Sequence, residues 1–198
     1  MKKEQIKKLT SLFFEAGSLR KIPRSHQQTL LTQDLSDNIA SHSYRVAVIG
    51  YFLSQNIEEV DSGKVVKMCL FHDLEETRTG DQNWVHKSYI KSFEDEVRKD
   101  QVKDIKNNDN FKEISKEYDE RKSLESKVAK DADILDQLLL LREYEWQGNQ
   151  EAKKWLDKKE EGGYKNFSTS LAKEIAKEIK KQKPSSWWKD AWSAHRRK

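Results

Sequence analysis

A histidine directly followed by an aspartate, His72-Asp73, closes the apolar run Val65-Val66-Lys67-Met68-Cys69-Leu70-Phe71. A second histidine, His42, lies upstream in Ser41-His42-Ser43-Tyr44-Arg45. An aspartate-rich apolar segment, Asp131-Ala132-Asp133-Ile134-Leu135-Asp136, lies downstream. Imidazole nitrogen suits manganese, iron, cobalt, nickel and zinc, and carboxylate oxygen shifts the balance toward harder ions and higher coordination. Two imidazoles and two carboxylates around one divalent ion leave positions for water and a substrate oxygen. Such an ion lowers the pKa of a water and offers charge to a phosphoryl group. The residue types therefore point to metal-dependent hydrolysis of a phosphoester. Asp133 falls between Ala132 and Ile134 in a stretch expected to be buried, where an unpaired carboxylate is costly. Neighbouring side chains on a helix diverge by about 100°. His72 and Asp73 can thus reach one ion only from a helix end.

Helices have to position these groups. Residues 3–16 read as a helix with Ile6, Leu9, Leu12, Phe13 and Ala16 on its inward stripe and Gly17 at its end. A polar loop follows from Arg20 to Gln33. Ser36 or Asp37 can cap a second helix, reaching about Asn56, with His42 one turn in. Asp61 or Ser62 caps a third helix that passes His72-Asp73, continues to Glu76 and stops near Gly80. Residues 81–90 read as a loop. Residues 91–120 read as one or two amphipathic helices separated at Asn107–Asn110. The strongest helical pattern runs from 122 to 146, followed by shorter helices at 151–156 and 167–181. With two prolines and seven glycines, and no clean strand pattern, the fold class is all-α. Residues 1–183 are expected to form one domain and residues 184–198 a basic, tryptophan-rich tail.

The net charge of +4 comes from interspersed signs, 38 basic against 34 acidic residues, the pattern of solvated helix faces. The excess near the C-terminus reads as a solvated helix end, so nucleic acid is not the expected partner. The single Cys69 excludes a disulfide framework and reads as a buried, inert thiol. No window has the length and apolarity of a membrane span, and no signal peptide is visible. A cytoplasmic location is expected.

The chain resembles the HD-domain superfamily of metal-dependent phosphohydrolases, and within it the branch of 5′-deoxynucleotidases and their HD-domain-containing relatives. The resemblance covers about residues 5–146. It is carried by Ser36-Asp37-Asn38-Ile39-Ala40-Ser41-His42-Ser43, by His72-Asp73-Leu74-Glu75-Glu76-Thr77-Arg78-Thr79-Gly80-Asp81, by Lys130-Asp131-Ala132-Asp133-Ile134-Leu135-Asp136 and by Glu143-Tyr144-Glu145. It implies that His42, His72, Asp73 and Asp133 ligate one divalent ion (manganese, cobalt, iron, nickel, magnesium or zinc), with Asp133 preferred to Asp131. It implies that Glu76 orients or deprotonates the attacking water and that Asp81 lies near the sugar and leaving group. Arg24 matches the arginine that holds the substrate phosphate. His72 and Glu76, four apart, would share a helix face. The implied function is release of phosphate from nucleoside (deoxy)5′-monophosphates by a homodimer. A phosphodiester or pyrophosphate bond, and a non-catalytic nucleotide-sensing module, are the alternatives. The tryptophan that follows the arginine in bacterial deoxynucleotidases is Ser25 here, and the proline-containing segment after Gly80-Asp81 is replaced by Gln82-Asn83-Trp84-Val85-His86-Lys87.

Overall fold

The computed structural model describes residues 2–188. Its elements are α1 (Lys3–Ala16), a 3-10 turn (Gly17–Lys21), α2 (His26–Leu30), α3 (Ile39–Ser54), α4 (Ser62–Phe71), α5 (Glu76–Thr79) and α6 (Trp84–Lys87). Then come α7 (Glu94–Val102), α8 (Asp109–Glu120), α9 (Leu124–Trp146), α10 (Gln150–Glu161), α11 (Ser170–Lys181) and a final 3-10 turn (Ser186–Trp188). Among the described residues there is no strand, only the isolated antiparallel bridge between Pro23 and Asn38. The expected all-α class holds. None of these helices is long and apolar enough to cross a membrane.

The centre of the molecule is the triangle of α3, α4 and α9. Helix α9 buries Val128, Ala129, Ala132, Leu135, Leu138 and Leu141, and α10 and α11 pack on it from the other side. A fully buried Leu or Val contributes about 1.5–3 kcal/mol, so this helix supplies much of the fold's cohesion. At Gly50, α3 faces side chains of both α4 and α9 with no room to spare. A Cβ there would lie 2.6 Å from Cys69 Sγ and 3.1 Å from Val65 Cγ1, so glycine is what lets α3 lie against α4. Cys69 is fully buried and its thiol is pushed up by that burial, as an inert thiol should be.

Several local expectations are corrected. Asn38, not Ser36 or Asp37, caps α3: its side chain accepts from Ser41 N, and the Ser41 hydroxyl accepts in return from Asn38 N. The Asp37 carboxylate is drawn off to His26 and Tyr144. Asp61 caps α4 as expected, but α4 ends at Phe71. Residues 72–75 form a turn in which Leu74 N donates to Phe71 O and Glu76 N to Asp73 O, bonds one residue shorter than helical ones. His72 and Glu76 therefore do not share a helix face. No residue of α1 is buried, and Phe13 is 67% exposed; of its apolar stripe, Ala16 packs against the buried cluster of Leu19, Ile39 and Leu74. Helices α2 and α6 occupy segments expected to be loops, and α10 runs longer than expected. Of the tail, Pro184 and Trp187 line an apolar cleft between α3 and α11. Trp192 and the basic Arg196-Arg197-Lys198 lie outside the described residues.

Candidate metal centre

His42 stands one turn into α3, His72 is the C-cap of α4, Asp73 follows it in the turn, and Asp133 projects from the middle of α9. Their tips converge. His42 Nε2 lies 3.3 Å from His72 Nε2, 3.3 Å from Asp133 Oδ1 and 3.4 Å from Asp73 Oδ2. His72 Nε2 lies 3.3 Å from Asp73 Oδ2 and 4.0 Å from Asp133 Oδ1. The end of α4 gives the adjacent His72 and Asp73 the freedom to face one point.

The other nitrogen of each ring decides what the cluster can hold. His72 Nδ1 donates to the Cys69 carbonyl at 2.9 Å, and His42 Nδ1 donates to Asp136 Oδ2 at 2.6 Å. A neutral imidazole carries one N–H. Both Nε2 atoms therefore present lone pairs to each other and to two carboxylates. With both rings neutral, four acceptors meet with no donor between them, a repulsive arrangement that a proton on His42 or a metal cation at the centre relieves. The charge balance says the same. Burial and the nearby Arg24 oppose a charged His42, yet the carboxylates of Asp133, Asp136 and Asp73 outweigh them and raise its affinity for a proton. Ligand distances of about 2.0–2.2 Å to a divalent ion are compatible with donors spaced as these are. His42, His72 and Asp133 form a potential metal-holding group by spacing alone, and Asp73 Oδ2 lies beside both of its imidazoles.

Asp136, to which the sequence reading gives no role, orients His42 and is itself held by Arg45 Nε at 2.5 Å. Arg45 in turn reaches both oxygens of Glu143, at 2.9 and 3.1 Å. An acceptor behind a ligating histidine fixes its tautomer and raises its basicity, and that requirement was the available signal for Asp136. Asp131, the rival of Asp133, is fully buried elsewhere. It accepts from Ser168 N, Thr169 N and Thr169 Oγ1 at 2.7–2.8 Å and so fixes the start of α11.

The centre opens into a cavity of about 440 Å³, within the range of small-molecule sites. Arg24, Glu76 and Asp81 all line it. Arg24 lies 3.6 Å from both Asp73 and Asp81, and its Nε has no hydrogen-bond partner. Asp81 accepts from Ser25 N at 2.6 Å. Glu76 Oε2 is buried without a partner; burial, and then the charges of Asp73 and Asp81, push its pKa up to about 10. Tyr118 packs its ring against His72, with centroids 5.4 Å apart. His86 is absent from the cavity wall. Sequence reasoning missed His26, whose Nε2 meets Asp37 Oδ2 at 2.8 Å beneath the Arg24 segment, and the cavity-lining Trp84 and Trp155.

A family model described as HD domain matches residues 16–179. The chain belongs to the HD-domain family. A 5′-deoxynucleotidase of Dictyostelium discoideum is 31% identical over 129 residues, covering 59% of this chain and 67% of that protein. Among solved structures, a conserved hypothetical protein of Pyrococcus furiosus is 28% identical, with a TM-score of 0.70 over 87% of this chain and 99% of that one. A Pyrococcus horikoshii protein is 26% identical, with a TM-score of 0.72 over 88% and 99%. The residues that carry the resemblance in sequence, His42, His72-Asp73 and Asp133, all fall inside the matched range and are the ones that meet at this centre. By family and donor set it is a metal-dependent phosphohydrolase.

Proposed function

We propose that this HD-domain protein removes phosphate from nucleoside 5′-monophosphates, deoxynucleotides included. The observation that carries the reading is Arg24: a guanidinium held inside the cavity beside the donor cluster, whose Nε–H makes no hydrogen bond although the Asp81 carboxylate lies 3.6 Å away. A planar fork with free donors next to a cation site suits a terminal phosphate. The 31% identity to a 5′-deoxynucleotidase supports the same substrate class.

His42, His72, Asp73 and Asp133 would hold the divalent ion, which supplies charge to phosphoryl oxygens and acidifies a water. Manganese, cobalt, iron, nickel, magnesium and zinc all suit such mixed donors. The protein's own groups do the rest. Arg24 draws the phosphate oxygens toward the cluster, and its own position is set by Asp73, by Asp81 and by its backbone N–H, donated to Asp37 O at 3.1 Å. Glu76, whose Oε2 has no protein partner, would orient the attacking water and take its proton as the water's oxygen bonds to phosphorus, once the charge of a bound ion has offset the burial and the Asp73 and Asp81 charges that keep it protonated. The bond from phosphorus to the 5′-oxygen breaks on the Asp81 side, and that oxygen takes up a proton, the one held by Glu76 or one from solvent, to leave as the nucleoside alcohol. We further propose that the enzyme is cytoplasmic and works as a homodimer, supported by the exposed apolar stripe Tyr44, Val48, Tyr51 and Phe52 on α3.

A phosphate-release screen with manganese, cobalt, magnesium and zinc supplied separately tests the reading. Release from dAMP and other 5′-monophosphates, and not from 3′-monophosphates, is expected. Cleavage confined to cyclic nucleotides or to diphosphates would overturn it.

A further inference from the structure

Helix α6 puts Trp84 and Lys87 on the cavity wall, although neither belongs to the metal centre. The Trp84 ring is 66% exposed, so the fold itself gains little from it. Its placement is nonetheless specific. Asn83, almost fully buried, caps α6 by accepting from Val85 N at 2.9 Å and His86 N at 3.1 Å. The same side chain donates to Ser25 O at 2.9 Å and to Gln28 Oε1 at 3.2 Å. Trp84 is thereby locked to the segment that carries Arg24. Gln82, also on this wall, has a buried side-chain oxygen with no partner. An exposed indole beside an unused amide is a surface for a flat, polar-edged ring. Every nucleobase has a face that stacks on an aromatic side chain.

We infer that Trp84 is the platform on which the nucleobase of a 5′-monophosphate stacks while Arg24 holds its phosphate, with Gln82 placed to pair with the base edge or sugar. Lying in the segment that departs from the related enzymes, it makes α6 the part of this chain that sets preference for base-bearing over base-free phosphomonoesters. The inference rests on the 5′-monophosphate reading and refines it.

Steady-state kinetics on dAMP and on 2-deoxyribose 5-phosphate, for the wild type, Trp84→Ala and Trp84→Phe, test it. Trp84→Ala should raise the KM for dAMP about tenfold, within the range for loss of one stacked base, with kcat within about twofold. Its KM for 2-deoxyribose 5-phosphate should not move, and Trp84→Phe should recover most of the dAMP affinity. An unchanged KM for dAMP, or an equal rise for both compounds, overturns the platform. Failure of the hydrolytic reading shows separately, as no release from either compound by the wild type. Equilibrium binding of dAMP then decides the platform: about tenfold weaker binding by Trp84→Ala supports it and equal binding overturns it.

Discussion

The metal-donor half of the site and its substrate-facing half are built by different physics. His42, His72 and Asp133 stand on or at the end of helices of 16, 10 and 23 residues whose packing is the core itself. Arg24, Glu76, Asp81 and Trp84 stand on or beside helices of 5, 4 and 4 residues, far too short to persist alone. What fixes them is a handful of hydrogen bonds: Arg24 N to Asp37 O, Ser25 N to Asp81, Asn83 to Ser25 O. Each bond of this kind contributes on the order of 1 kcal/mol. The donor half can change only with the fold, whereas the substrate half can be retuned residue by residue. The first should govern whether a phosphoester is cut, the second which one and how tightly it is held.

Removing a donor is the most severe break. Asp133→Ala should abolish metal retention and lower phosphate release by at least about a thousandfold, since an ion at such a site contributes several kcal/mol to the transition state. Elemental analysis alongside the rate checks both. Behind the donors, Asp136→Asn keeps the shape but frees the His42 tautomer, with an expected loss of about 10–100-fold in metal affinity and an unchanged KM once metal is saturating. If the KM rose instead, Asp136 would belong functionally to the substrate half.

Asn83→Ala probes the other half directly. It removes the α6 cap and the link to Ser25, so the KM for 5′-monophosphates should rise about tenfold, the equivalent of one or two hydrogen bonds. Metal content should equal that of the wild type. A variant that lost its metal would erase the division between the halves.

The same division explains what the sequence could reveal. The four donors were legible because coordination restricts the residue types and because α3, α4 and α9 advertise their buried faces by periodicity. The choice between Asp131 and Asp133 was not decidable from that stripe. Both fall on a largely buried helix, and the start of α11, far along the chain, claims Asp131. The end of α4 was invisible because residues 72–79 contain no strong helix breaker before Gly80, and the turn is set by tertiary bonds. Periodicity showed that α1 has an apolar stripe but could not say whether anything covers it. Trp84 and Gln82 were unreadable for the reason that makes them adjustable: their positions come from contacts between segments distant in sequence.

The smallest effect concerns α1, the loosest strap on the substrate half. With no buried residue of its own, α1 holds the α5 region through Glu15. That carboxylate takes Arg78 Nε at 2.7 Å and Nη2 at 2.8 Å, and Thr77 and Gln101 at 2.9 and 2.8 Å. The Arg78 bonds are the main reason its pKa falls from the usual 4.5 to about 2, against the opposing effect of partial burial. A carboxylate depressed in the folded state stabilises the fold fully above its unfolded pKa and loses that contribution as pH falls toward the folded value. Glu15→Gln should therefore be less stable than the wild type at pH 6 by about 1 kcal/mol, a modest figure because Arg78 is solvent-screened. The gap should close between about pH 4.5 and pH 2, as denaturant titrations at several pH values can follow. A gap that stays constant down to pH 3 would mean that Glu15 acts by packing and not by charge. Loss of metal at pH 6 in the same variant would show that α1 reaches the donor half after all.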